Sequence, residues 1–199
     1  MPKVCIDPGH GGSDSGCRSD MGLWESRLVL KIAQMVEAII APKCQVLMTR
    51  KDDTFVSLSE RCRMANKWGA DIFVSIHLNA ATSDARGWEV FTSGSTGSRK
   101  LASDIAEAHA DEFPEQKPRG IKQAGFFVLK ETDMPAVLWE GGFLSNADEA
   151  EWLGQHETQV RMADALAQGI LNHLGLGSEP QALTLEERIA RIENHLGLE

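Results

Sequence analysis

Two histidines and two glutamates stand where they could do chemistry together. His10 lies in the loop Asp7-Pro8-Gly9-His10-Gly11-Gly12, directly after a short β-branched stretch. His77 follows the apolar run Ile72-Phe73-Val74-Ser75-Ile76, and Glu140 follows Ala136-Val137-Leu138-Trp139. Glu25 opens a helical pattern. Two histidines and a carboxylate form a catalytic zinc set, with a fourth position left for water. Bound Zn²⁺ polarises a carbonyl and brings the pKa of its water toward ~7. A carboxylate outside the ligand set then serves as general base and proton donor. Glu25 and Glu140 are both available for these tasks, and residue types alone leave open which is ligand and which is base. Singly, each residue has a plainer reading. A strand-end histidine is an ordinary hydrogen-bonding group, Glu25 an acid favoured by a helix N-terminus, and Glu140 a paired carboxylate. What favours a shared site is their joint occurrence at strand ends, where ligands bind in open α/β sheets.

The elements that must position them alternate. Strands are expected at 4–7, 45–49, 72–76, 88–92, 126–129 (at an edge) and 136–139. Leu28, Ile32, Met35, Val36, Ile39 and Ile40 give a helix from Glu25, ended by Ala41-Pro42. Ser57 and Glu60 have capping-box spacing for a helix reaching Trp68, which Gly69 closes. Further helices are expected at 98–112, after Asn146, and at 158–174. The segment 113–117 reads as loop. This alternation implies an α/β sandwich with a largely parallel or mixed sheet covered on both faces. His109, His156, His173 and His195 fall in helical segments and are expected at the surface or at helix ends. Trp88, Phe126 and Phe127 are assigned to the core by default.

Composition narrows the function classes. The 199 residues suffice for one domain, and 42% hydrophobic with 25% charged residues is ordinary for a globular chain. A net charge of -9 argues against a nucleic-acid binder. No apolar run is long enough to span a membrane. Met1-Pro2-Lys3 leads straight into a strand without a signal-peptide pattern, so synthesis in the cytoplasm is expected, with secretion as the alternative. Cys5, Cys17, Cys44 and Cys62 form no C-x-x-C pair and read as free thiols. Cys17 lies near the His10 loop, but its spacing matches no zinc motif. The loop from Gly9 to Gly16 lacks the G-x-G-x-x-G register of a dinucleotide site.

A tail stands apart. The segment 176–183 reads as a linker between a domain at 1–175 and a helix at 184–199. Thr184 and Glu187 form a capping box, and Leu185, Ile189, Ile192 and Leu196 form a short heptad seam. About two heptads are too few for a lone helix. The tail therefore either self-associates, making a homo-oligomer through 184–199, or docks on the domain.

Several separated motifs resemble one family in the same order. Ile6-Asp7-Pro8-Gly9-His10-Gly11-Gly12, Ser75-Ile76-His77-Leu78-Asn79-Ala80 and Glu140-Gly141-Gly142-Phe143-Leu144-Ser145-Asn146 are similar to the zinc-dependent N-acetylmuramoyl-L-alanine amidases of the Amidase_3 type. Met48-Thr49-Arg50, Leu58-Ser59-Glu60-Arg61, Ala65-Asn66 and the stretch from Gly120-Ile121-Lys122-Gln123 to Met134-Pro135 fit the same pattern. The resemblance spans roughly 3–174. It implies a twisted, mostly parallel six-stranded sheet with helices on both faces; the short C-terminal helix lies beyond it. It implies hydrolysis of the amide between the lactyl group of N-acetylmuramic acid and L-alanine of the peptidoglycan stem peptide. By position it assigns His10, Glu25 and His77 as zinc ligands and Glu140 as the catalytic glutamate, with Asn79 as a substrate contact. Zinc-activated water attacks the lactyl carbonyl, and Glu140 carries the proton to the leaving nitrogen. Some relatives carry a helix that blocks the site; the stretch 78–139 has no spare segment for one, so an open groove is expected. A phage lysis enzyme is the preferred reading, and a secreted autolysin the alternative. The rival functions are a zinc peptidase cutting another stem-peptide bond and a binding module without chemistry.

Overall fold

A computed structural model describes residues 1–177 and 184–196. Six strands form one sheet: β1 (Lys3–Pro8), β2 (Gln45–Met48), β3 (Ile72–Asn79), β4 (Trp88–Thr92), β5 (Pro118–Gln123) and β6 (Ala136–Phe143). Their order is β2-β1-β3-β6-β4-β5. The pairs are parallel except β4 with β6, which run antiparallel. The helices are α1 (Glu25–Ile40), α2 (Leu58–Trp68), α3 (Thr96–Glu112), α4 (Phe127–Lys130), α5 (Ala147–Leu153), α6 (His156–His173) and α7 (Leu185–Leu196).

Local chemistry sets the boundaries. Ser57 accepts a hydrogen bond from the Glu60 amide at the start of α2, and Gly69 ends it with φ of 69°. Asn146 caps α5 by accepting from the Glu149 amide. Thr184 and Glu187 complete a reciprocal box at α7.

The two faces of the sheet differ, and the difference creates the site. One face carries Val4, Ile6, Val74, Ile76, Val90, Val137 and Trp139, and α1, α3 and α6 cover it with a continuous apolar core. The other face carries Cys5, Phe73, Ala136 and Leu138, over which only α2 and α4 close a smaller core. Side chains alternate along a strand. On β3 the second face therefore receives Phe73, then Ser75, His77 and Asn79. On β6 it receives Ala136, Leu138 and then Glu140. The polar ends of these rows project beyond the smaller core.

Four expectations change. The edge strand is β5, not 126–129. A strand rich in Pro, Gly and basic residues shows no apolar alternation, whereas Phe127–Lys130 folds as one helical turn. β3 and β6 continue past His77 and Glu140, with a register shift between His77 and Asn79. His109 is buried rather than at the surface; its Nε2 lies 2.8 Å from Gln116 Oε1, and its ring packs on Trp88 and Trp139. Phe126 and Phe127 are exposed, while Trp88 is in the core.

The tail helix lies on α1 and α6. Ile192 is buried in the main core, and Leu185 and Ile189 pack against it. Arg188 pairs with Asp164 and, at 3.2 Å, with Glu112. The linker expected at 176–183 and the side chain of Leu196 lie outside the described residues, apart from Leu176 and Gly177. Among the described residues no helix is long and apolar enough to cross a membrane.

Candidate metal centre

His10, Glu25 and His77 converge although 67 positions separate the first from the last. β1 and β3 are adjacent and parallel, so the loop leaving β1 meets the end of β3. Gly9 continues that ladder, its amide donating to Ile76 O at 3.0 Å. A Cβ at Gly9 would overlap the His77 ring, so the close approach requires glycine there. His10 itself has a left-handed backbone, φ of 60°.

Two buried arginines hold this conformation. Arg50 donates to Pro8 O, Gly9 O and Ser26 O at 3.0, 2.7 and 2.8 Å. Arg61 donates to Pro8 O and His10 O, both at 2.7 Å, and to Asp7 Oδ1 at 2.7 Å. Thr49 and Ser75 hydroxyls also donate to Asp7. Burial pushes the Asp7 carboxyl up, but Arg61 and these hydrogen bonds outweigh it and hold the group ionised below its usual range. Removing Arg61 alone would strand a buried carboxylate, a loss of about 3–5 kcal/mol. Thus the Met48-Thr49-Arg50 and Leu58-Ser59-Glu60-Arg61 motifs lock the histidine loop from beneath.

The three side chains form a compact donor set. His10 Nε2 lies 3.0 Å and His77 Nδ1 3.1 Å from Glu25 Oε1. One ligand atom from each residue falls within 4.8 Å of the others. Donors on one tetrahedral ion at about 2.0–2.1 Å stand about 3.3 Å apart, so the two histidine–glutamate spacings are compatible with a shared zinc ion. The supporting contacts fit as well. His10 Nδ1 faces Asp14 Oδ2 at 2.9 Å, which keeps a proton on that nitrogen and turns the other toward the ion. The Leu78 and Cys17 amides donate to the two Glu25 oxygens, each at 3.0 Å. A Cβ on Gly16 would come within 2.6 Å of Glu25 Oε2 and 2.7 Å of the His10 ring, so the cradle has no spare volume. Glu25 is buried as the first residue of α1. Burial raises its carboxyl, but the two histidines outweigh that and hold it well below the usual range. Asp14, an acceptor for His10, has no special sequence signal beyond its distance of four residues. The Cys17 thiol faces Leu78 O at 3.6 Å and is not part of the donor set; all four cysteines are free.

Glu140 stands beside this set on β6, register partner of His77. Its Oε2 is buried and has no hydrogen-bond partner among the described residues. Burial first, then the Glu25 and Glu89 charges, push its carboxyl well above the usual range. A carboxyl with a free, desolvated oxygen is suited to holding and releasing a proton. A dication bound nearby would offset the like charges. The geometry thereby separates the two glutamates: Glu25 sits between the histidines, and Glu140 lines the adjoining cavity with an unpartnered oxygen. Asn79, two residues beyond His77, also faces that space, its Nδ2 donating to Glu89 Oε1 at 2.7 Å.

These groups floor a cavity of about 400 Å³. Phe55, Val56 and Leu58 wall one side, and Phe126, Phe127 and Val128 another. The exposed phenylalanines are therefore rim residues rather than core.

The profile described as N-acetylmuramoyl-L-alanine amidase, Amidase_3, matches residues 4–172. The N-acetylmuramoyl-L-alanine amidase CwlM of Bacillus licheniformis is 37% identical over 187 residues, covering 92% of this chain and 73% of that one. The endolysin of Bacillus phage SPP1 is 38% identical over 192 residues, covering 89% and 70%. The catalytic domain of CwlV, an N-acetylmuramoyl-L-alanine amidase of Bacillus (Paenibacillus) polymyxa, superposes with a TM-score of 0.85 at 38% identity, covering 88% of this chain and 99% of that one.

Proposed function

The chain belongs to the N-acetylmuramoyl-L-alanine amidase family, Amidase_3, and from that premise we propose how its site performs the reaction. The protein is a peptidoglycan hydrolase that cleaves the amide between the lactyl group of N-acetylmuramic acid and L-alanine. The single observation that carries the mechanism is the contrast between the two glutamates: one locked among two histidines, the other lining the cavity with a buried, unpartnered oxygen.

His10, Glu25 and His77 would hold a zinc ion. When bound, it polarises the scissile carbonyl and acidifies water. Asp14 orients the His10 ring, and the Cys17 and Leu78 amides orient Glu25. Glu140 Oε2 accepts a proton from the attacking water and returns it to the alanine nitrogen as that bond breaks. The apolar walls shield this transfer from bulk water. Asn79 contacts substrate at the cavity edge. The cavity is open toward solvent, so the enzyme works without an activating partner.

The likeness to a phage endolysin supports a lysis role; the equally close bacterial amidase supports wall remodelling. Purified peptidoglycan tests the reaction itself. The expected products are stem peptides beginning with free L-alanine and glycan strands with free lactyl groups. Cleavage within the stem peptide would instead mark a peptidase.

A further inference from the structure

One charged cluster on the site face includes two cations, Arg119 and Lys122, that have no role in the chemistry above. Glu89 on β4 is buried and stands directly opposite Glu140 across the β4–β6 ladder. Both its oxygens are engaged. Asn79 Nδ2 donates to Oε1 at 2.7 Å, Arg119 Nε to Oε2 at 3.0 Å, and Lys122 Nζ to the same Oε2. One carboxylate thus anchors two cations, leaving a surplus positive charge on a chain whose net charge is -9.

Glu89 does not exhaust these cations. A guanidinium has five N–H donors and an ammonium three. The Arg119 and Lys122 side chains remain 30% and 41% exposed. They are also fixed in place. Arg119 lies over the Phe143 ring at 4.7 Å and Lys122 over Phe91 at 5.8 Å. Cations already ordered by aromatic rings and a buried carboxylate lose little freedom on meeting an anion. The cluster abuts the cavity at two points. Asn79 lines the cavity and touches Glu89, and Phe126 lines it while packing on Phe91 at 5.1 Å.

We propose that Arg119 and Lys122 form a carboxylate-binding ledge that selects stem peptides with a free acidic group just beyond L-alanine. The proposal rests on the amidase reading of the site. Arg119 and Lys122 lie on β5, two strand spacings of about 4.7–4.9 Å from β6, so the ledge lies roughly 10 Å from Glu140. Two extended residues at about 3.3–3.6 Å each, plus one hydrogen bond of about 2.9 Å from carboxylate to cation, cover that span. The acetylated glycan chain has little anionic charge beside the muramic acid, whereas the peptide carries carboxylates. The ledge therefore also sets polarity, with peptide running toward β4 and β5.

The test compares kcat/KM for the disaccharide carrying L-alanyl-D-isoglutamate with that for its α-amide, D-isoglutamine. The wild-type protein is expected to prefer the acid by about fivefold, the scale of a partly exposed charge-assisted contact. Arg119→Gln and Lys122→Gln, made singly so that Glu89 keeps one partner, should each reduce the preference toward one through KM. Lys122→Arg should keep it. An equal rate on acid and amide in the wild-type protein, or a preference the Gln variants leave unchanged, overturns the ledge while the amidase reading stands. Failure of the wild-type protein to cut either compound overturns the reaction and the ledge together. The wild-type comparison needs no variant to fold.

Discussion

At the scale of residues, roles follow from which oxygen or nitrogen is left over. Glu25 uses both oxygens on histidines and backbone amides, so it has nothing to give a substrate. Glu140 has an oxygen free, so it can move a proton. Asp14 acts only through His10. Asp14→Ala should weaken zinc binding about 10–100-fold, measured by competition with a chromogenic chelator, while the fold persists; unchanged affinity would remove Asp14 from the site. The four central residues were legible in the sequence because each closes an apolar run or opens a helical one. Which of Glu25 and Glu140 would hold a metal and which would move a proton was not legible from residue type, since the two differ only in what surrounds them. Glu89 left a fainter trace, a lone charge between Trp88 and Val90 in a strand, which signals a paired carboxylate only once Arg119 and Lys122 are seen beside it.

At the scale of elements, the alternation of strand and helix was legible, and the sheet follows it. The exceptions have physical causes. β5 is held by pairing with β4 rather than by its own apolar pattern, and its Gly120 takes φ of 82°. Phe126 to Leu129 reads as a strand because it is apolar, yet Phe127–Lys130 folds as a one-turn cover over the smaller core. His109 on α3 shows how a helical polar residue can be core. Burial pushes its pKa down from 6.5 to about 4, against the Gln116 hydrogen bond. Between those values the unfolded chain binds a proton that the folded chain does not. Stability therefore falls as pH drops from about 6.5 toward about 4, by up to roughly 3 kcal/mol from this group, and is unaffected above that window. Urea midpoints at pH 7 and pH 5 should differ more for the wild-type protein than for His109→Gln. Equal differences would show that His109 titrates normally.

At the scale of the molecule, an asymmetric covering makes the enzyme. Three long helices bury one sheet face completely, and two short ones leave the polar ends of β3 and β6 uncovered on the other. The tail adds to the covered side. Its apolar residues Leu185, Ile189 and Ile192 are spent on α1 and α6, which leaves no described seam for a second copy. A mass near 21.8 kDa is expected in solution at all concentrations; a concentration-dependent dimer lost on truncation before Thr184 would show that the tail associates instead. The central claim is that a metal set of His10, Glu25 and His77 and a separate proton carrier, Glu140, together cut the lactyl–alanine amide. The most direct measurement is release of L-alanine amino groups from purified peptidoglycan by wild-type and Glu140→Gln proteins, with zinc content determined on the same samples. Glu140→Gln is expected to retain one zinc per chain and lose about 10²–10⁴-fold in kcat. Full turnover by Glu140→Gln, or loss of its zinc, would contradict the division of labour between the two glutamates.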